Sequence, residues 1–81
     1  MQIEVRLFAT FRRWLPASAQ GSRCQIEVAD GSDIGRVLSQ LGVPIDQPEH
    51  MVILLNGRPV GPGHPLKPGD VLSAFPAMEG G

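Results

Sequence analysis

Apolar and polar residues alternate from Gln2 to Phe8, with Ile3, Val5 and Leu7 on one face and Gln2, Glu4 and Arg6 on the other. That period of two predicts a half-buried strand. Phe8 departs from it by falling on the polar face. The alternation returns from Arg23 to Val28, where Cys24, Ile26 and Val28 oppose Gln25 and Glu27, and it closes in the turn pair Asp30-Gly31. The two strands read as a hairpin. Between them, Phe11 and Leu15 lie four apart with Trp14 beside them, which predicts a short helical turn over Thr10 to Leu15, stopped by Pro16. A small, polar loop follows from Ala17 to Ser22.

After the hairpin the period changes. Ile34, Val37, Leu38 and Leu41 recur at helical spacing, with Arg36, Ser39 and Gln40 on the opposite face. Asp33 supplies an N-terminal cap, and Gly42 followed by Val43-Pro44 supplies a left-handed C-terminal stop. A proline-punctuated connection to His50 leads into the apolar run Met51 to Leu55 and then Asn56-Gly57, a pair suited to a tight hairpin turn. The returning segment Arg58-Pro59-Val60 carries a proline that confines it to a sheet edge. Gly61 to Lys67 is a loop with one apolar plug, Leu66; Pro68-Gly69-Asp70 turns the chain into a last strand, Val71 to Phe75, which Pro76 ends. This order predicts an α+β fold in which a mixed sheet of four to five strands wraps one main helix, the ubiquitin-like β-grasp arrangement. Residues 1–81 are expected to form one domain, with 76–81 as an extended C-terminal tail.

Composition narrows the partners. Seven basic and eight acidic residues leave a net charge of −1, which gives no basic field for nucleic acid or an anionic membrane. Cys24 is the one cysteine, and with only His50 and His64 beside it there is no metal-ligand spacing and no intrachain disulfide. The charged start from Met1 to Arg6 does not read as a signal peptide, and no apolar run approaches membrane length. A cytoplasmic, reduced protein is expected. No nucleophile–base pair or paired carboxylates stand out, so the chain is not expected to be an enzyme in its own right.

The candidate chemistry lies at the end. Gly80-Gly81 has no side chain to obstruct a narrow channel, so the pair could thread one, with Met78 and Glu79 entering behind it, and present the Gly81 carboxylate to a partner's active site. A carboxylate is a poor electrophile until one oxygen becomes a leaving group. The expected chemistry is therefore activation as an acyl adenylate and capture by a nucleophile, with the catalysis supplied by partner enzymes.

Three stretches carry a family resemblance: Val5-Arg6-Leu7-Phe8-Ala9-Thr10-Phe11-Arg12, Leu54-Leu55-Asn56-Gly57-Arg58, and Leu66-Lys67-Pro68-Gly69-Asp70 through Phe75-Pro76 to Gly80-Gly81. Together the chain resembles the MoaD/ThiS sulfur-carrier family, and within it the small subunit of molybdopterin synthase. The resemblance implies that Gly81 is adenylated by a ubiquitin-activating-like adenylyltransferase that uses ATP, and is then converted to a thiocarboxylate with a sulfurtransferase as donor. It implies a molybdopterin synthase large subunit as acceptor, and no bound cofactor beyond the sulfur carried covalently at Gly81. Related carriers serve thiamine, cysteine or thiolated-tRNA synthesis with the same tail, and ubiquitin-like modifiers are joined to proteins through it. Met78-Glu79 and Ala77 depart from the family's usual small, uncharged or proline-containing tail.

In such a sheet the first and last strands are parallel neighbours, so Phe8 and Phe75, both on the solvent parity, emerge at one end of one face beside Pro76 and the tail. An exposed aromatic pair there is expected to bind the partner. Covering by the loop after Pro16 is the alternative. Cys24 is expected to be inert core, and His50 and His64 are expected at the surface.

Overall fold

A computed structural model describes residues 1–77. The expected α+β fold is present. Five strands, β1 (Gln2–Leu7), β2 (Arg23–Glu27), β3 (Met51–Leu55), β4 (Arg58–Pro59) and β5 (Val71–Pro76), accompany one helix, α1 (Ile34–Leu41). The sheet order is β2-β1-β5-β3-β4. β1 and β2 pair as an antiparallel hairpin with Val5 opposite Cys24, and β1 runs parallel to β5 with Leu7 opposite Ala74. β3 is antiparallel to both β5 and β4.

Alternation decides which face is the core. Ile3, Val5, Leu7, Leu72 and Ala74 are fully shielded and meet Ile34, Val37 and Leu38 from the helix. Leu66 plugs the same core from its loop, as its isolated apolar character predicts. On the opposite face Glu4, Arg6, Ser73 and Phe75 remain partly or wholly accessible.

The helix ends are closed by the chain itself. The Asp33 side chain accepts from the Arg36 backbone N–H, and the Asp33 carbonyl accepts from Val37. The two preceding N–H groups, Ile34 and Gly35, donate to the carbonyls of His64 and Pro62 at 3.1 and 2.7 Å. Three of the donors that a helix start leaves open, those of Ile34, Gly35 and Arg36, thus have partners within the protein. Gly42 closes the other end at φ 98°, and a Cβ there would lie 3.0 Å from the Trp14 ring, so both backbone and packing require glycine.

Several boundaries differ from the expectation: β2 ends at Glu27 rather than Val28, and β4 at Pro59 rather than Val60. The turn after β1 is a 3-10 segment, Ala9–Trp14, entered through Ala9 at φ 55°. In addition, β5 runs through Pro76 rather than stopping at Phe75, with Pro76 opposite Met51. Proline is tolerated there because its missing N–H would face the Phe8 carbonyl across the parallel ladder. That carbonyl already accepts from Phe11 at 3.1 Å, since the chain has turned away into the 3-10 segment.

The Met1 ammonium donates to Glu27 Oε2 and to the Val28 carbonyl, both at 2.7 Å, and sits 3.2 Å from Asp30. Hydrogen bonding to Glu27, assisted by Asp30, holds its pKa above the ordinary value of 8.0. A raised folded pKa means that this contribution is fully present below about pH 8 and is lost as pH rises through the folded value. The urea midpoint should therefore fall between neutral and strongly alkaline pH, and acetylating the amino group should abolish that part of the fall.

Candidate functional site

The tail leaves the fold from a defined seat. At the end of β5 the Ala77 N–H donates to the His50 carbonyl at 2.9 Å, while on the other side Phe8 N–H donates to the Ala74 carbonyl at 3.2 Å. The exit is thus held between the start of β3 and the end of β1. His50 and His64 side chains are exposed, as expected, and His50 takes part through its backbone.

Phe8 and Phe75 meet beside that exit. Their rings lie 6.2 Å apart at 75°, an edge-to-face contact, with Phe8 38% exposed and Phe75 and Pro76 half-buried. The parity of two parallel neighbouring strands brings them together. They wall an open groove of about 460 Å³ whose other lining includes Arg6, Leu54, Val71 and Ser73, and which ends at Asn56-Gly57. The loop after Pro16 does not line it. That loop instead contributes Ser18 and Gln20 to a second concavity of about 420 Å³ on the β2 side, with Glu4, Arg23, Cys24 and Gln25.

Met78, Glu79, Gly80 and Gly81 lie outside the described residues. Cys24 is buried and faces Val5, but its sulfur contacts Ser18 Oγ at 3.6 Å and the Gln25 carbonyl at 3.4 Å rather than joining the aliphatic cluster. Among the described residues no group of histidine, cysteine or acidic side chains is arranged to hold a metal, and no helix is long and apolar enough to cross a membrane. Sequence reasoning missed the charged row beside the groove. Glu4 Oε2 accepts from Arg6 Nε and Glu4 Oε1 from Gln25 Nε2, the latter at 3.1 Å. The strand alternation places Glu4 and Arg6 side by side on one face, but only the strand pairing brings Gln25 to them.

A family model described as Mut7-C ubiquitin matches residues 1–80. The chain belongs to this family. The Mut7-C ubiquitin chain is similar to the HVO 2177 protein of Haloferax volcanii at 30% identity and a TM-score of 0.76, covering 100% of this chain and 87% of that one. It is similar, at 26% identity and a TM-score of 0.61, to a chain of the complex between subunits 1 and 2 of the molybdopterin-converting factor from Helicobacter pylori, with 100% of both chains covered. The small archaeal modifier protein 1 of H. volcanii shares the fold at 22% identity and a TM-score of 0.71, over 95% of this chain and 98% of that one. No curated protein matches the chain. The ubiquitin-like β-grasp expected from the order of elements is therefore shown, and so is the likeness to molybdopterin-converting factor.

Proposed function

We propose that the protein is a sulfur carrier of molybdopterin biosynthesis, with Gly81 as the residue that carries the sulfur. The observation that supports this best is the aromatic pair Phe8–Phe75, presented with Pro76 at the seat from which the tail departs. Similarity over the full length of a chain from the two-subunit Helicobacter complex supports a large subunit as partner.

The chemistry follows from the carboxylate. An oxygen of Gly81 attacks the α-phosphorus of ATP held by an activating-type adenylyltransferase, and pyrophosphate leaves. The terminal sulfur of a sulfurtransferase persulfide then attacks the acyl carbon and displaces AMP. A further thiolate cleaves the S–S bond, leaving a thiocarboxylate on Gly81. Each catalytic group belongs to a partner, while this chain contributes the acyl group and the docking face. Met78, Glu79 and Gly80 thread the partner's channel.

Intact mass of the native polypeptide, isolated with active activating and sulfur-transfer enzymes, tests the reading. Replacement of one terminal oxygen by sulfur at Gly81 is expected. An unmodified carboxylate despite active machinery, or a polypeptide that continues past Gly81, overturns it. A branched Gly-Gly remnant on lysines of other proteins would assign the tail to protein modification.

Phe75→Ala should raise the KM for adenylation about 10- to 30-fold, the range expected when a central aromatic anchor is truncated. The fold should persist, because Phe75 lies on the face away from the helix. An unchanged KM with an intact fold would remove the groove from the docking surface.

A further inference from the structure

Glu4, Arg23 and Gln25, which line the concavity on the β2 side, share the face of the sheet that carries the aromatic groove, and the two concavities meet along β1. Arg6 lines the aromatic groove and Arg23 lines the concavity on the β2 side, and the β1–β2 register sets the two arginines directly opposite each other. Like charges in a facing cross-strand pair oppose folding. Glu4 relieves Arg6, through its ion pair and its contact with Gln25. Glu27, the other carboxylate on the solvent face of β2, is held by the Met1 ammonium. Among the described residues no carboxylate pairs with Arg23, whose side chain is exposed. Among the described residues an unneutralised guanidinium thus stands beside a second arginine, next to a concavity that Gln20 and Gln25 also line.

We propose that this face is a two-part receptor for an acidic partner surface. The partner seats an apolar side chain in the Phe8–Phe75 groove and sets a carboxylate on Arg23. Adjacent strands are about 4.8 Å apart, so β2 and β5, with β1 between them, place the two contacts roughly 10 Å from each other. A carboxylate at Arg23 completes a bidentate pair that no group among the described residues supplies, and it offsets the repulsion between Arg23 and Arg6. A basic partner meets the opposite: with Arg6 paired to Glu4, the charge left on Arg23 repels it. The aromatic groove supplies the anchor and Arg23 supplies the discrimination, which is the division of work expected of a packed centre and a charged rim. The inference rests on the docking face of the proposed carrier and adds the charge of what docks there.

The test uses the full chain, labelled with nitrogen-15, and two peptides that differ only in charge, acetyl-Leu-Gly-Gly-Glu-amide and acetyl-Leu-Gly-Gly-Lys-amide. The acidic peptide should shift the amides of Arg6, Phe8, Arg23, Ser73 and Phe75 with at least several-fold greater affinity than the basic one. Arg23→Gln should equalise the two, whereas Arg36→Gln, on the exposed face of the helix, should not. Equal response to both peptides overturns the inference, as does a response to neither, or one centred elsewhere. Shifts of the same amides with protein concentration and no peptide would assign the face to a second copy of this chain, and also overturn it. None of these outcomes bears on the mass of Gly81, so the carrier reading and the charge of its partner fail separately.

Discussion

Leu72→Ala should lower stability by about 2–5 kcal/mol, the range for truncating a shielded leucine that leaves a cavity behind. Leu72 is fully buried on β5, opposite Val5 of β1 and Leu55 of β3, so three strands lose packing at one site. A chain of 81 residues has a total stability of roughly 4–12 kcal/mol. The substitution therefore removes a large share of it, and the melting temperature should fall by roughly 10–30 °C. Circular dichroism during thermal and urea unfolding would measure both. A loss under about 1 kcal/mol would mean that Leu72 is not where the sheet and helix meet. The comparison with Phe75, three residues along the same strand, is informative because the pleat turns the two side chains to opposite faces. One substitution should reduce folding and leave surviving protein able to bind, while the other should weaken binding and leave the fold in place.

That split was legible in the sequence wherever chemistry is local. Asp33 and Gly42 bracket the helix because one can cap and the other can take positive φ, and both do so. Asn56 and Gly57 take φ 52° and 84°, as their side chains favour, and Pro59 marks the edge strand. Phe8 stood out because it broke the alternation, and its meeting with Phe75 follows once β1 and β5 are neighbours. What local pattern does not encode is the content of that neighbourhood. Arg6 faces Arg23 only through the hairpin register, and Ala9 adopts φ 55° only because the chain must leave β1 for the 3-10 segment. Pro76 looked like a stop signal. It remains in the strand because the donor it lacks has no free acceptor across the sheet, a fact held by Phe8 and Phe11 rather than by proline. The tail residues Met78 to Gly81 are legible as chemistry alone.

Asp70→Ala is expected to have the second large effect on stability, about 2–4 kcal/mol, through a connection between two turns that are far apart in sequence. The nearly buried Asp70 carboxylate accepts from Asn56 Nδ2 at 3.0 Å and from the Lys67 backbone N–H at 2.8 Å. Asn56 Oδ1 accepts in turn from Val71 N–H at 2.9 Å, and Asn56 N–H donates to the Val71 carbonyl at 2.8 Å. The Asn56-Gly57 hairpin is thereby tied to the Pro68-Gly69-Asp70 turn, and Glu4 N–H joins β1 to the knot through the Asp70 carbonyl at 2.9 Å. Alanine removes both carboxylate bonds and strands two donors, each loss being about 1–2 kcal/mol or more where the acceptor is charged. Asp70→Asn should lose less, since one oxygen remains, although its amide can no longer accept from both donors. Combining Asp70→Ala with Asn56→Ala should give a coupling energy of about 1 kcal/mol or more, because each single change already breaks the shared bond. Simple additivity in urea unfolding would show that the turns fold independently. The consequence reaches the groove, whose far end is lined by Asn56, Gly57 and Val71. Amide hydrogen exchange at those residues in Asp70→Ala should rise while β2, across the sheet, keeps its protection relative to the global stability; uniform loosening would place the lock in the core rather than at the rim of the docking face.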